Sequence, residues 1–507
     1  MQRQSQRSYE CQCQGGSTCR CKSQLEGQER KDLSKSGDLS CAQGASGTLD
    51  VRCSRGGATL SGILGVAGAV LLSLTAAVQG GESEWPQFRG PTSSGVAPGS
   101  GYPTQWDTNQ NVAWSTEIPG LGWSSPIIAG GKVFLTSVVT DGKVEPPKKG
   151  LYFGGERPNP GSDTNHWMVW CVDTAKGGIL WKREVHSGPP PGPRHVKNTY
   201  ASETPVTDGE RVYAMFGNQG VYCLDMDGKV LWSKELMPKK TAFAWGTAAS
   251  PVLFAGRLVI VQDNEEESSI TALDPKSGDQ VWRTAREERS NWATPMVWKH
   301  DDLKELVVPG RKKVRSYGAD GTVLWEFGGM SSIVIPTPLE AKGLLYVSSG
   351  YVGDKTRPVF AIRAGAKGDI SLKPDESTNS FIAWRESTIG PYNPSPIIYG
   401  DRLYVLYDFG FFACYDARTG KQIYERQRLN KDASAGFTSS LWAADGRIFC
   451  LSEDGDTYVI EAGAEYKQIG KNSLGEMCMA TPAIAEKSFF IRTATRLVRI
   501  SGGASGK

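Results

Sequence analysis

The chain has 507 residues, a formal net charge of +3, and hydrophobic residues at 39% of its positions. A chain of this length can bury a substantial core, and its charge balance provides no basic surface for a polyanion. The first 57 residues alone carry a net +3, so the remainder of the chain is neutral overall. Because no nucleic-acid-binding motif accompanies this balance, we exclude nucleic acid as an expected partner.

The predicted elements begin with an extension, residues 1–57, which contains six of the eleven Cys and has the polar composition of a disordered segment. An uncharged segment, residues 58–80, follows two Arg residues and has the composition of a secretory signal. A signal belongs at the start of a chain, so either translation begins downstream of Met1 or the leader is unusual. The apolar stretch 58–78 is also long enough to stay as a membrane anchor. Both alternatives predict a periplasmic or secreted protein.

A docking segment and a repeated pattern follow the apolar stretch. We expect residues 85–110 to dock on the domain that follows, with Arg89 paired to a buried carboxylate. Within residues 111–501, a Ser-Pro or Thr-Pro pair opens a strand-like segment seven times, and Ser440-Leu441 opens an eighth. Uninterrupted repeats are roughly 40 to 46 residues long, which is the length of a four-stranded propeller blade. The prolines of the seven pairs are Pro126, Pro205, Pro251, Pro295, Pro338, Pro396 and Pro482.

The repeats predict an all-β fold, a single eight-bladed β-propeller of four-stranded antiparallel blades. Residues 204–236 are the clearest blade, because four short β-branched and aromatic runs are separated there by Gly-containing turns. The last repeat has room for only three strands, whereas the strand around Trp114 precedes the first pair. That N-terminal strand should therefore complete the last blade, which leaves the ring with no open edge.

The hairpin between the third and fourth strands of each blade has the densest pattern. An Asp, a Gly-containing turn and a Trp recur there, as in the segment from Asp225 to Trp232. This pattern resembles the tryptophan-docking repeat of the pyrroloquinoline-quinone (PQQ) propeller superfamily, in which the Trp packs between adjacent blades. Residues 85–95 and 197–229 also resemble the secreted bacterial PQQ-like propellers. The docking residues in this chain are Trp114, Trp181, Trp232, Trp282, Trp325 and Trp384.

The resemblance implies two different kinds of function. Enzymes of the superfamily hold PQQ between a Trp and two adjacent Cys, with calcium bound by Glu, Asn and Asp and with an Asp as catalytic base. This sequence contains no Cys-Cys pair, and its weak calcium candidates are Glu203 and Asn291. Other members are scaffolds, such as the propeller lipoprotein of the outer-membrane assembly machinery, whose lipid-anchor Cys this chain lacks.

Loops alternate between the two faces of a propeller, so the long insertions can be assigned to faces. Four of them share one face (141–165, 186–202, 263–268 and 350–358), whereas residues 365–380 emerge on the other. Binding residues concentrate on long loops. The residues just before the Ser/Thr-Pro pairs should ring the channel mouth on the loop-rich face. The candidate ligand-binding residues are Trp123, Lys197, Asn198, Tyr200, Glu203, Trp245, Asn291, Trp292, Tyr392 and Asn393.

Two functions follow from these features. In the first, the chain is a non-catalytic extracytoplasmic binding module, a monomer whose aromatic face binds an envelope or extracellular protein, a peptide or a glycan. In the second, it is a PQQ- and calcium-dependent dehydrogenase of an alcohol or a sugar, with catalytic residues unknown. The aromatic ring itself has two interpretations, because it either forms a ligand site or packs the innermost strands. We expect contact with a membrane only if residues 58–78 are not cleaved from the chain.

Overall fold

The chain forms two units, Met1–Ala76 and Ala77–Lys507. A computed structural model describes residues 84–503 except for 153–156, 158–159 and 432–435, together with four short strands in the first unit. Those strands form two antiparallel pairs, β1 (Tyr9–Cys13) with β2 (Cys19–Ser23), and β3 (Ala42–Gln43) with β4 (Leu49–Asp50). The signal or anchor predicted at residues 58–80 lies outside the described residues. Within the described part, no helix is long and apolar enough to span a bilayer.

The second unit is a ring of eight antiparallel sheets, and this confirms the predicted propeller. Blades 1 and 2 contain β6 (Ile127–Ala129), β7 (Lys132–Thr140), β8 (Asn165–Asp173), β9 (Ile179–Gly188), β10 (Val206–Thr207), β11 (Arg211–Phe216), β12 (Gly220–Asp225) and β13 (Val230–Glu235). Blades 3 and 4 contain β14 (Val252–Phe254), β15 (Arg257–Gln262), β16 (Ser269–Leu273), β17 (Gln280–Ala285), β18 (Met296–His300), β19 (Leu303–Val308), β20 (Val314–Tyr317) and β21 (Val323–Phe327).

Blades 5 to 8 complete the ring, and the N-terminal strand closes it. Blades 5 and 6 contain β22 (Leu339–Ala341), β23 (Leu344–Ser348), β24 (Val359–Arg363), β26 (Ile382–Glu386), β27 (Ile397–Tyr399), β28 (Arg402–Leu406), β29 (Phe411–Asp416) and β30 (Gln422–Arg428). Blade 7 contains β31 (Trp442–Ala444), β32 (Arg447–Leu451), β33 (Asp456–Glu461) and β34 (Gln468–Ser473). Blade 8 contains β35 (Ala483–Ala485), β36 (Ser488–Arg492), β37 (Arg496–Ser501) and β5 (Val112–Glu117), where Arg499 pairs with Trp114.

Burial decreases from the channel to the rim of each blade. In blade 2, β12 is buried at every position except its last, whereas the outermost strand β13 alternates between half-buried and exposed side chains. Inner strands pack on both neighbouring blades, and outer strands keep one face in water, which produces this gradient. The five Cys of the propeller are buried and unpaired; four of them lie on the second or third strand of a blade, and Cys478 lies in the loop before the first strand of blade 8.

Each docking Trp connects its blade to the next one. The indole N–H of Trp181 donates to the Met226 carbonyl oxygen at 3.0 Å, in the turn of the following blade. In that turn Gly228 has a φ of +85°, and a Cβ added there would lie 2.6 Å from the Trp181 ring. Trp114, Trp232, Trp282 and Trp384 make the equivalent contacts with Gly177, Gly278, Gly321 and Gly420.

Trp325 is the exception among the predicted docking residues. Blade 5 replaces the tight Gly turn with an insertion, whose short strand β25 (Gly368–Asp369) pairs in parallel with β21. Trp325 therefore has no Gly turn of the next blade to contact. Its indole N–H instead donates to the buried carboxylate of Glu305 at 2.6 Å, within its own blade.

The Ser and Thr of the recurring pairs join neighbouring blades at the channel. In six of the eight blades, the backbone N–H of this residue donates to the side-chain hydroxyl of the equivalent residue in the following blade. The bonds run from Ser125 to Thr204 (3.0 Å), Thr204 to Ser250 (2.9 Å), Ser250 to Thr294 (3.1 Å), Thr337 to Ser395 (3.0 Å), Ser395 to Ser440 (3.1 Å) and Ser440 to Thr481 (3.0 Å). We call these eight residues the axial belt.

Two features of the axial belt explain the repeat. Ser440 keeps its hydroxyl although Leu441 replaces the proline, so the hydroxyl is the part of the pair that the degenerate repeat retains. Among these eight described residues, two links are not formed, between Thr294 and Thr337 and between Thr481 and Ser125. The belt therefore consists of two arcs, one through blades 1–4 and one through blades 5–8.

The docking segment that precedes β5 fills the end of the channel opposite the loop-rich face. Trp85 and Ile128 exchange two backbone hydrogen bonds, which attach the segment to blade 1. The Arg89 side chain is buried, and its guanidinium donates to five carbonyl oxygens, those of Ser93, Ser94, Ser395, Pro396 and Leu441. The prediction of a carboxylate partner was wrong, because the carbonyls at the start of two innermost strands satisfy the guanidinium. Burial lowers the pKa of Arg89 to about 9.

The docking contact can be tested at its glycine. In Gly228→Ala the new methyl group has to displace Trp181, so we expect a loss of about 3 kcal/mol in the free energy of unfolding, from left-handed backbone strain plus overpacking. Gly209→Ala is the matched control, since its φ is +90° and nothing lies within 4 Å of the added Cβ. Its loss in the free energy of unfolding should come only from backbone strain and amount to about 1 to 2 kcal/mol. Equal losses, measured by urea denaturation, would show that the Trp contact contributes nothing.

Candidate functional site

A cavity of about 220 Å³ lies on the propeller axis and opens towards the loop-rich face. All eight residues of the axial belt line it, and Phe88, next to the buried Arg89, closes its inner end. Loops of blade 1 contribute Leu151, Tyr152 and His195 to its wall. We call this space the axial cavity.

Most of the sequence-predicted site residues line the axial cavity. Three do not, because Tyr200 and Glu203 line a small cleft beside Phe216, and Asn291 lines another beside Asp263. The structure therefore separates these three from the rest of the predicted set. The seven residues that it brings together are Trp123, Lys197, Asn198, Trp245, Trp292, Tyr392 and Asn393.

The alternation of an extended chain explains part of this division, whereas Lys197, Trp245 and Tyr392 reach the cavity from loops at odd positions. Side chains of an extended segment point to opposite sides in turn, so the belt residue and the residue two before it face the same way. The residue one before, such as Glu203, then points away from the channel. Every residue two positions before the belt lines the cavity: Trp123, Ser202, Ala248, Trp292, Ile335, Asn393, Thr438 and Met479. Met479 was also expected on the channel ring, and counting in steps of two from the Ser/Thr-Pro pairs would have found the four residues that the prediction omitted, Ser202, Ala248, Ile335 and Thr438.

Hydrogen bonds fix the aromatic walls of the cavity. The Trp123 indole N–H donates to the Lys197 carbonyl oxygen at 2.9 Å, and that of Trp292 donates to the Gly246 carbonyl oxygen at 2.8 Å. The Trp245 and Trp292 rings pack with centroids 5.6 Å apart. Both rings and Tyr392 belong to one buried cluster with Ile333. The walls are therefore ordered without any bound molecule.

The charged groups around the cavity are matched to partners. The Lys197 ammonium lies 2.5 Å from a Glu453 carboxylate oxygen, and the two side chains are 11% and 1% exposed. Glu453 also accepts hydrogen bonds from the Thr438 hydroxyl and the Gly150 N–H, both at 2.7 Å. The Asp408 carboxylate is buried against the Asn393 amide, and burial raises its pKa to about 6.

Two side chains of the cavity wall have a buried polar atom with no partner among the described residues, the Trp245 Nε1 and the Thr337 Oγ1. His195 accepts the Lys197 N–H at Nδ1 (3.1 Å), and burial lowers its pKa to about 4, so the neutral ring carries its proton on Nε2. A backbone hydrogen bond to Tyr152 opposes this lowering of the His195 pKa. Trp245 and Thr337 are at least nine-tenths buried. The missing belt link from Thr294 leaves the Thr337 hydroxyl free.

The two calcium candidates do not share a site. Glu203 accepts the Thr247 hydroxyl at 2.6 Å. Asn291 donates to the Pro309 carbonyl oxygen at 2.5 Å and lies beside Asp263, which the buried Arg286 neutralises at 2.8 Å. Within the described part of the chain, no group of three or more His, Cys, Asp or Glu has the geometry to hold a metal ion.

Comparisons with known proteins identify relatives of the fold. A family model described as outer membrane protein assembly factor BamB matches residues 166–326 and 268–465. No curated protein matches the sequence significantly. Among solved structures, BamB from Moraxella catarrhalis is 12% identical, with a TM-score of 0.48, over 77% of this chain and 99% of that chain.

Two enzymes are also similar in structure. The quinohemoprotein alcohol dehydrogenase from Comamonas testosteroni is 12% identical, with a TM-score of 0.51, over 83% of this chain and 81% of that chain. The quinohemoprotein alcohol dehydrogenase ADHIIG from Pseudomonas putida HK5 is 11% identical, with a TM-score of 0.51, over 84% of this chain and 81% of that chain. At such identities these likenesses show the fold alone.

Burial of Glu203 should make stability depend on pH. Burial is the main reason that the pKa of Glu203 rises from 4.5 to about 7. Between these values the folded state holds a proton that the unfolded state releases, so stability falls as pH rises through this window. Glu203→Gln removes the titration and keeps an acceptor for Thr247. When the pH is raised from about 4 to about 8, we expect the free energy of unfolding of the variant to increase relative to that of wild type by on the order of 1 to 3 kcal/mol.

Urea denaturation at the two pH values measures this difference. The matched control is Glu210→Gln, since Glu210 is exposed and lies in the same blade. Its stability relative to wild type should be the same at both pH values. If the difference in the free energy of unfolding between Glu203→Gln and wild type is also the same at both pH values, the burial argument is contradicted.

Proposed function

The chain belongs to this family of PQQ-like β-propellers, as its docking repeats predicted, and from that premise we propose that it is a non-catalytic, extracytoplasmic binding module. It binds an envelope or extracellular protein, a peptide or a glycan at the axial cavity. The observation that carries the proposal is a cavity with ordered aromatic walls and a closed inner end, surrounded by the longest loops of the fold. The extracytoplasmic part rests on the composition of residues 58–78.

The shape of the cavity supports binding over simple packing. Trp245, Trp292 and Tyr392 do pack on one another, as the packing interpretation requires. They nevertheless leave about 220 Å³ open beside them, although protein interiors leave few voids larger than a water molecule. Concave, mostly apolar sites with a few fixed polar groups are typical of ligand pockets. Packing alone gives no reason for this space or for its unpartnered polar atoms.

The residues present do not fit PQQ, which is a planar tricarboxylic acid. The axial cavity offers one ammonium, that of Lys197, and Glu453 already neutralises it. The calcium candidates Glu203 and Asn291 lie in separate clefts. The five Cys of the propeller are buried and unpaired in the blades, so no adjacent pair covers a cofactor. We therefore derive no oxidation chemistry for this site.

Retention of material from the native envelope tests the proposal. Wild type, Trp292→Ala and Leu303→Ala are immobilised and exposed to an envelope extract, and bound proteins, peptides and glycans are identified by mass spectrometry. Leu303 is the control, because it is an exposed apolar residue at the turn between β18 and β19, on the face away from the loops. We expect specific material on wild type and Leu303→Ala, and at least tenfold less on Trp292→Ala, because loss of a central aromatic anchor costs about 2 kcal/mol or more.

Two results would contradict the proposal. Equal retention by all three proteins would mean that the axial cavity is not the binding site. Saturable changes in the visible spectrum on adding PQQ and calcium, with dye reduction by an alcohol or a sugar, would establish the dehydrogenase instead.

A further inference from the structure

The axial cavity restricts the size of its ligand. Its 220 Å³ is below the roughly 300 to 1,000 Å³ of sites for drug-sized molecules. Phe88 closes the inner end, so a ligand enters from the loop-rich face and ends inside. An internal stretch of a peptide needs a groove that is open at both ends. The space instead suits the terminal ring of a longer molecule, with the remainder directed towards the loops.

The walls and the polar groups describe that ring. Trp123, Trp292 and Tyr392 supply aromatic surface, which packs against the C–H face of a saturated ring. Each belt hydroxyl that accepts a backbone N–H keeps its own hydrogen for donation, as at Thr204 and Ser250. A ring with one apolar face and several hydroxyl groups at its edge matches both features.

Two unpartnered polar atoms add a second, independent observation. The Trp245 Nε1 is a donor, and the Thr337 hydroxyl is both a donor and an acceptor. Both side chains line the cavity, but the two polar atoms are enclosed, so each side chain has to turn to present its atom to the cavity. Buried polar groups are nearly always hydrogen-bonded in folded proteins, and a ligand that carries oxygen atoms would satisfy these two.

The charges indicate that the ligand is uncharged. Lys197 is neutralised by Glu453, and the Asn393 amide binds the Asp408 carboxylate. His195 is neutral because burial disfavours its cation. A peptide terminus or an acidic sugar would bring a charge into this space without a free counter-charge, and burying an unpaired charge is unfavourable.

We infer that the axial cavity binds the terminal, uncharged sugar ring of a glycan. This inference rests on the proposed binding function and specifies its ligand class. The Trp245 and Thr337 side chains act as specificity-determining residues, because both line the cavity and each has a polar atom that no described residue satisfies.

Titration of the purified protein with neutral sugars tests the inference. The probes are methyl glycosides of neutral hexoses and pentoses, neutral oligosaccharides and, for comparison, hexuronic acids, followed by saturation-transfer NMR and tryptophan fluorescence. We expect saturable binding of at least one neutral sugar. Thr337→Val keeps the side-chain volume and removes the free hydroxyl, so affinity should fall roughly tenfold while the melting temperature is unchanged.

The matched control is Thr457→Val. Thr457 also has a buried hydroxyl without a partner, but it lies on β33 and does not line the cavity. This variant should bind sugar like wild type. Trp245→Phe, which keeps an aromatic ring and removes the indole N–H, should weaken binding as Thr337→Val does.

The outcomes separate this inference from the proposed function. Binding of no neutral sugar, or of hexuronic acids alone, overturns the inference. If Trp292-dependent retention of a protein or peptide persists in that case, the binding module stands and its ligand is a polypeptide. If retention does not depend on Trp292 either, both fail. Equal loss of sugar affinity in Thr337→Val and Thr457→Val would also overturn it, because the effect would not come from the cavity.

Discussion

The hydrogen bond from a backbone N–H to the hydroxyl of the next blade is the interaction on which the rest of this propeller depends. It occurs six times around the channel, and it joins the innermost strands, where the blades approach one another most closely. Proline after the hydroxyl residue costs little, since the first position of an innermost strand is where a missing donor disturbs the ladder least. Ser440, which keeps its hydroxyl without a proline, shows which half of the pair the ring requires. At the rim, five docking Trp residues make a corresponding connection, whereas blades 4 and 5, which lack both contacts, are joined by the pairing of β25 with β21.

The same constraint forms the cavity at which we propose that binding takes place. Because the belt residues face the channel, strand alternation brings every second residue before them to the channel as well, and these residues form the wall of the axial cavity. The wall is therefore positioned by the ring itself, with long loops adding Leu151, Tyr152 and His195. The break between the two arcs leaves the Thr337 hydroxyl without a partner among the described residues. A structural repeat thus supplies both the scaffold and the wall of the cavity, and in our proposal a departure from the repeat contributes to its specificity.

The fold could be predicted from the sequence because its determinants are local and repeated. A Ser/Thr-Pro pair, a Gly turn and a Trp recur at fixed spacing, and each blade contacts only its neighbours. The site could be predicted only in part. Trp123, Trp292 and Asn393 were found because they lie two residues before a belt hydroxyl, and Glu203, one residue before, points away. Further from the belt, loop conformation decides, because Tyr392 and Asn291 both lie three residues before a belt hydroxyl and only Tyr392 lines the cavity. Arg89 and Phe88 could not be assigned, because their partners are some 300 residues distant in the chain. Trp325 fits the repeat in sequence, but the insertion of the following blade changes its contact.

Amide hydrogen exchange of the eight belt residues in the ligand-free protein tests the central claim most directly. The N–H groups of Ser125, Thr204, Ser250, Thr337, Ser395 and Ser440 donate to a neighbouring blade, so they should exchange only through global unfolding. The N–H groups of Thr294 and Thr481, at the two breaks between the arcs, should exchange by smaller fluctuations and therefore faster. Exchange of the six donors at the rate of loop amides, or identical rates at all eight positions, would contradict the belt as the element that joins the innermost strands of neighbouring blades.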